Sequence, residues 1–191
     1  LKAERLVLNL MQHLSAISTK TADFLSLVSH TDVKLLDTRK TTPGLRHLEK
    51  YAVKVGGGHN HRVGLYDAVL IKNNHIDVID GDVALAVSRA RESVDAGIKV
   101  QVEVRSMEEL AAAVSQKPDA ILLDNMTPDQ IVDAISFVRD SGEQIELEAS
   151  GGINRENLVS YAETGVYTIS LGCLTHSVRA VDLALHFSET L

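Results

Sequence analysis

The sequence predicts an α/β fold: an incomplete TIM-like α/β barrel with its active site at the C-terminal ends of the strands. Three observations predict it. Short apolar runs alternate with helical patterns along the chain. The runs are rich in β-branched residues and continuous, as parallel strands covered by helices are. Charged, amide and glycine residues follow nearly every run. This chemistry is spread over all the strands, which favours a barrel over a doubly wound sheet that gathers its ligands at one switch point.

The leading segment, about 1–18, reads as a helix with Leu6, Leu10 and Leu14 four apart, and with Val7 and Met11 widening the stripe. It begins without Met and without a capping residue ahead of Leu1, so a segment cut from a longer protein is expected. Strands are expected over 33–36, 68–71, 100–104, 120–123, 145–147 and 166–170. Helices are expected over 45–53, 82–95, 106–114, 128–139 and 154–163. No linker, low-complexity stretch or internal repeat breaks this rhythm, so 1–191 reads as one α/β-barrel domain.

Composition narrows the function classes. The 191 residues are 45% hydrophobic and 24% charged, as in an ordinary globular protein. No apolar run is long enough to span a bilayer, and no basic-then-apolar leader is visible. The single cysteine, Cys173, cannot form an internal disulfide, so a cytoplasmic setting is expected. A formal charge of −7, 4% aromatic residues and no Trp argue against a nucleic-acid partner. The charge is uneven. Residues 37–75 hold seven Lys/Arg against three acids, a local +4 that leaves −11 on the rest. Four of the eight histidines and five of the twelve glycines share that stretch, which suggests a local anion site.

The strand-end residues carry the chemistry. Arg39 and Lys40 follow the first strand, and adjacent residues on extended chain point opposite ways, so one enters the mouth. Arg grips a carboxylate or phosphate with two hydrogen bonds, while Lys acts as a compact charge. The bland reading is an ion pair with Asp37. GGGHNHR (56–62) offers glycine amides to an anion, with His61 and Arg62 as further donors. Its two histidines lack a third local ligand, so zinc is not expected. Lys72 suits Schiff-base chemistry or an anion site. Glu103 and Asp124, at the ends of successive strands, suit one Mg²⁺ or a pair of sugar hydroxyls. Ser150, Gly151, Gly152 and Gly172 look like a barrel phosphate site, with Thr175 and His176 closing that end. Asn154 also has a plain role as a helix cap, and Cys173 reads as a small packing residue.

At this point the sequence resembles the quinolinate phosphoribosyltransferase family. The likeness is carried by LLDTRKTTPGLRHLEKYAVKVGGGHNHRVGLYDAVLIKNNHI (35–76), VEV (102–104), LLDNM (122–126), EASGGI (148–153) and SLGCLTHS (170–177). AERLVLNLMQHLSAIST (3–19) resembles the helix ahead of that core. The resemblance implies phosphoribosyl transfer from phosphoribosyl pyrophosphate to quinolinate, with Mg²⁺, releasing pyrophosphate and CO₂ and giving nicotinate mononucleotide for NAD synthesis. Carried over by position, Arg39, His61, Arg62 and Lys72 would bind quinolinate, and Arg5 would reach the partner's site in a homodimer with shared active sites. Lys40, Glu103 and Asp124 would address the phosphoribosyl pyrophosphate and its metal, directly or through water. Ser150, Gly151, Gly172 and His176 would hold phosphate. Gln101 and Arg105 flank Glu103 where many relatives have acids, and the family's N-terminal domain is not among these residues. The residues alone leave open a same-fold relative acting on another anionic substrate, and a catalytically silent barrel.

Overall fold

The structure, a computed structural model, describes residues 2–186. Helix α1 (Glu4–Leu27) leads into β1 (Lys34–Leu36), α2 (Arg46–Val55) and β2 (Val69–Ile71). Then come α3 (Asn73–Asp77), α4 (Val83–Glu92), β3 (Val100–Val104) and α5 (Met107–Ser115). Strand β4 (Ala120–Asp124), α6 (Pro128–Asp140), β5 (Glu146–Ser150), α7 (Leu158–Ala162), β6 (Thr168–Ser170) and α8 (Cys173–His176) follow.

The sheet order is β1-β6-β5-β4-β3-β2, with every pair parallel. Strands β2 to β6 are neighbours in chain order, and β6 then pairs with β1. That is the order of a sheet curling on itself, whereas a doubly wound sheet would place β1 inside the order. The barrel is incomplete between β1 and β2. Beside β1, His59 takes a neighbouring place by bridging Leu36. Its N–H donates to the Leu35 carbonyl at 2.8 Å, and its carbonyl accepts the Asp37 N–H at 3.0 Å.

Local rules set the helix starts. Asp82, Ser106 and Thr127 each accept an N–H of the first turn behind them. Thr127 forms a capping box with Gln130, and Pro128 occupies the first helical position, where no N–H is needed. Helix α1 runs well past the expected 18 because Ile17, Thr21 and Phe24 continue its buried stripe. Thr21 hides that stripe in the sequence, satisfying its hydroxyl on the Ile17 carbonyl at 2.8 Å. Conversely, α7 starts four residues later than expected. The Asn154 side chain accepts the Glu156 and Asn157 amides, and Asn157 caps Asn154 in return, so a turn replaces the first helical turn.

The strands are not uniformly apolar, as the sequence reading expected. In β3, Val100, Val102 and Val104 pack into the helix-covered core, while the alternate residues Gln101 and Glu103 take the other face. Glu148 and Ser170 are likewise buried polar residues on strands β5 and β6. The registers Glu103↔Leu122, Leu122↔Glu148 and Asp124↔Ser150 place Glu103, Asp124, Glu148 and Ser150 on that same face. The inside of the barrel is therefore a polar floor, and the apolar core lies between sheet and helices.

One buried ion pair joins this floor to the loops. Asp37, just beyond β1, is fully buried and pairs with Lys50 of α2. Asp37 also accepts the His61 N–H at 2.9 Å and the Asn60 amide. Lys50 in turn donates to the His61 carbonyl at 2.8 Å. Replacing Lys50 by Met strands the Asp37 carboxylate, a change expected to cost about 3–5 kcal/mol. Urea unfolding followed by circular dichroism measures it, and adding Asp37→Leu to that variant should return part of the loss. An unchanged midpoint for Lys50→Met would refute the dependence.

Candidate active site

The candidate residues are placed by the ends of six strands and the 56–62 loop. The three glycines of that loop do not offer amides to a ligand, as the sequence reading expected. Their N–H groups donate to the carbonyls of Ala52, Lys54 and Val53, closing the end of α2. Gly56 is there for packing: a Cβ would stand 2.4 Å from the Ser18 carbonyl oxygen and 2.7 Å from Thr21 Cβ. The glycines thus clamp α2 to α1, and the loop delivers only His61 and Arg62 to the site.

Arg39 is the most direct sign of a ligand. Its Nε and Nη1 are buried and have no partner among the described residues. Arg62 stands close by: burial and the neighbouring Arg39 charge both lower its guanidinium pKa. One Arg62 nitrogen donates to the Ala68 carbonyl at 2.9 Å. Two arginines held side by side, with donors unspent, form a site for an anion able to accept planar, paired hydrogen bonds. Lys72 closes the group from the end of β2, pairing with Glu103 at 3.1 Å. It is half-exposed while Glu103 is buried, so its ammonium reaches the mouth. No Schiff-base partner is needed to explain it.

The carboxylates face this cluster. Asp124 ends β4, and its carboxyl is pushed above the usual carboxylate range by burial and by the Glu103 charge, with Asn125, Lys72 and Lys40 acting the other way. Two hard oxygen ligands that repel each other suit a divalent cation that takes one or two carboxylates and keeps water or phosphate for the rest. Among the described residues no three His, Cys, Asp or Glu gather as a self-sufficient metal site. Glu103 and Asp124 would suit a divalent cation such as Mg²⁺ that takes its remaining ligands from elsewhere.

The remaining expected residues lie at the ends of β5 and β6. Ser170 Oγ lies 3.0 Å from Ser150 Oγ, within hydrogen-bond distance. Gly151 has φ +93°, and a Cβ there would meet Asn125 Oδ1 at 2.5 Å, so only glycine fits this approach. A Cβ on Gly172 would lie 3.0 Å from the His176 ring and 3.1 Å from Lys40 Cδ, which brings Lys40, Gly172 and His176 together. The Thr175 hydroxyl donates to the Lys40 carbonyl at 2.8 Å and holds that loop. The expected helix start behind Gly151 is replaced by the Asn154–Asn157 turn, so no helix N-terminus stands directly behind Gly151. Arg5 is not brought to the others: it is exposed on the first turn of α1 and pairs with none of them.

Sequence reasoning missed the support. Glu148, with its carboxylate 3.3 Å from His61 Nε2 and 2.9 Å from Gln101 Nε2, has no role in the sequence reading, and neither do Ser170, Asn60 and Lys50. The available signal was the two-residue alternation: Gln101 precedes Glu103 by two, and Glu148 precedes Ser150 by two, on the inward face. The two hollows of about 350 and 490 Å³ lie at the opposite, N-terminal strand ends, around 31–33 and 165–167, away from all of these groups.

Comparison with known proteins identifies a family for the chain. The family described as quinolinate phosphoribosyl transferase, C-terminal domain, matches residues 17–186. The chain is 45% identical over 185 residues to a probable nicotinate-nucleotide pyrophosphorylase [carboxylating] of Bacillus subtilis, covering 97% of this chain and 63% of that protein. It is 46% identical to the nicotinate-nucleotide pyrophosphorylase [carboxylating] of Mycobacterium leprae, covering 97% of this chain and 64% of that one. The solved nicotinate-nucleotide pyrophosphorylase of Francisella tularensis superposes with a TM-score of 0.88 at 46% identity, over 95% of this chain and 63% of that one. The chain thus spans a little under two thirds of the length of these relatives.

Asp124 is raised by burial and by Glu103, so the folded state favours its protonated form. Its contribution to stability is full below the unfolded carboxyl value and lost as pH rises through the raised folded value. Asp124→Asn should therefore raise the melting temperature at pH 7 and raise it less at pH 3. Calorimetry at the two pH values checks this; a lower melting temperature at pH 7 would contradict it.

Proposed function

The chain belongs to the quinolinate phosphoribosyl transferase C-terminal-domain family, and on that premise we propose that it carries the strand-end face that joins quinolinate to phosphoribosyl pyrophosphate. The products are nicotinate mononucleotide, pyrophosphate and CO₂, a step in NAD biosynthesis. The single observation that carries this reading is Arg39, with two buried, unspent nitrogens beside Arg62. A planar dicarboxylate is the kind of ligand that satisfies both guanidinium groups at once.

In this reading Arg39, Arg62 and Lys72 hold the two carboxylates of quinolinate and orient its ring nitrogen. Lys40, Ser150, Gly151, Gly172 and His176 hold the phosphates of the second substrate. The ring nitrogen forms a bond to the ribose carbon as the bond to pyrophosphate breaks, and positive charge builds on the sugar. Glu103 and Asp124 face that charge, and fixed carboxylates in a partly dry site stabilise it without reorganising. The ring carboxylate then leaves as CO₂; its bonding electrons stay on the ring carbon, which takes up a proton. Mg²⁺ held by Glu103 and Asp124, directly or through water, would neutralise the departing pyrophosphate. His61 has both ring nitrogens engaged within the chain, so it supports the quinolinate site by setting its walls.

The chain acts as a homodimer with shared sites in this reading, with Arg5 offered to the partner. Its exposure on α1, away from its own strand ends, supports that role. The lone Cys173 suits a cytoplasmic setting. Among the described residues no helix is long and apolar enough to cross a membrane.

Turnover of quinolinate with phosphoribosyl pyrophosphate, read as release of labelled CO₂, tests the reaction in the intact protein; absence of release with both substrates and Mg²⁺ would overturn it. Arg62→Ala should raise the KM for quinolinate roughly ten- to a hundredfold, the value of one charge-assisted contact. The KM for phosphoribosyl pyrophosphate should move far less, and an equal loss for both substrates would break the proposed division of the site. Mixing inactive Arg5→Ala and Lys40→Ala chains should regenerate one complete site in each heterodimer, returning about a quarter of the wild-type rate. No recovery despite proven subunit exchange would assign Arg5 to no shared site.

A further inference from the structure

Glu148 is the one buried charge of the barrel floor that the reaction scheme leaves without a task. It sits on β5 with 5% of its surface exposed. Its Oε2 accepts the Gln101 side-chain amide at 2.9 Å and lies 3.3 Å from His61 Nε2. The other oxygen, Oε1, has no partner among the described residues. Burial pushes this carboxyl up, while the facing His61 first, and Ser170 and Gln101 after it, hold the group below the usual range. Glu148 is therefore an anion, and an oxygen buried without a donor costs stability. An apolar or amide residue would serve the fold better, so the carboxylate answers to the site above it.

What it meets is His61. The opposite ring nitrogen, Nδ1, accepts the Arg62 backbone N–H at 2.8 Å. A backbone amide has only a proton to give, so Nδ1 carries a lone pair and the ring proton belongs on Nε2. A carboxylate beneath Nε2 is the partner that selects this tautomer. The His61 backbone is meanwhile fixed by Asp37 and Lys50. Backbone and ring together fix where Arg62 leaves the loop, and its guanidinium donates to the Ala68 carbonyl close to Arg39.

We propose that Glu148 is a positioning residue for the quinolinate site: from the barrel floor it holds His61 with its proton on Nε2, so that Nδ1 receives the Arg62 amide and the Arg62 guanidinium is set beside Arg39. Gln101 and Ser170 keep the carboxylate turned toward the ring. The inference rests on the reaction proposed above but acts through a measurable state of one histidine.

Two measurements on the intact protein test it. Long-range ¹⁵N–¹H correlation spectra of the histidine rings, with His61 assigned by its disappearance in His61→Gln, should show the proton on Nε2 at neutral pH. Glu148→Gln should give a mixture of tautomers, because an amide can turn either its oxygen or its nitrogen to the ring. The same variant should raise the KM for quinolinate about tenfold, with kcat and the KM for phosphoribosyl pyrophosphate within about twofold of wild type. A wild-type proton on Nδ1 overturns the proposal, as does an unchanged quinolinate KM in folded Glu148→Gln. If Glu148→Gln does not fold, the wild-type tautomer alone decides. A wild type that turns over no quinolinate defeats the reaction instead, and leaves the ring measurement to stand by itself.

Discussion

Burying Asp37 at the end of β1 forces the arrangement of everything that binds. A carboxylate with no exposed surface must be matched, and it is matched by Lys50 from α2 and by Asn60 and the His61 amide from the 56–62 loop. Those partners come from two separate stretches of chain, neither of them β1. Burial still pushes the Asp37 carboxyl up, with Lys50 the chief opposing influence. Desolvation thus outweighs the pairing, as it does in many buried ion pairs, and the pair contributes position more than stability. Its position is what brings His61 and Arg62 to Arg39, across the gap where β1 and β2 do not meet.

A second constraint follows from gathering charge. Arg39 beside Arg62, and Glu103 beside Asp124, each cost electrostatic energy in the free protein. The chain offsets that cost in the layer outside, where the valines of β3 and the apolar faces of α4, α5 and α6 form one continuous core. Strand alternation makes the division possible, since β3 and β5 turn apolar residues outward and Gln101, Glu103, Glu148 and Ser150 inward, beside Leu122. Like charges held ready in the ground state can accept a ligand of the opposite sign without rearranging, which is the condition for electrostatic preorganisation.

The same alternation explains which parts of the molecule were legible in the sequence. The βα rhythm, the capped starts at Ser106 and Thr127, and the strand-end positions of Arg39, Lys72, Glu103 and Asp124 follow from local patterns. The charge excess in 37–75 falls partly on the strand-end face, through Arg39, Arg62 and Lys72. The supporting residues were hidden because their roles depend on contacts across the fold. Glu49 and Lys50 look like an ordinary exposed pair on a helix, yet both are buried, Glu49 against His13 of α1. Gly56 and Gly58 look like an anion loop, but helix packing uses their missing side chains and the end of α2 uses their amides. Asn154 looks like a cap for the helix that it in fact delays.

These misreadings share a cause. A glycine, an acid or an amide near a strand end has the same local signature whether it faces a ligand or supports a residue that does. The difference lies in which donors are already spent. The glycine amides of 56–58 are spent on α2, and His61 has spent both ring nitrogens on Arg62 and Glu148. Arg39 has spent neither Nε nor Nη1. Counting spent and unspent donors turns a basic, histidine-rich loop into a site with an inside and an outside: Arg39 and Arg62 face the ligand, with His61 behind them and Glu148 behind His61. Each step inward carries charge of alternating sign or a neutral relay, so the cations at the mouth are held by the anion at the floor rather than by one another.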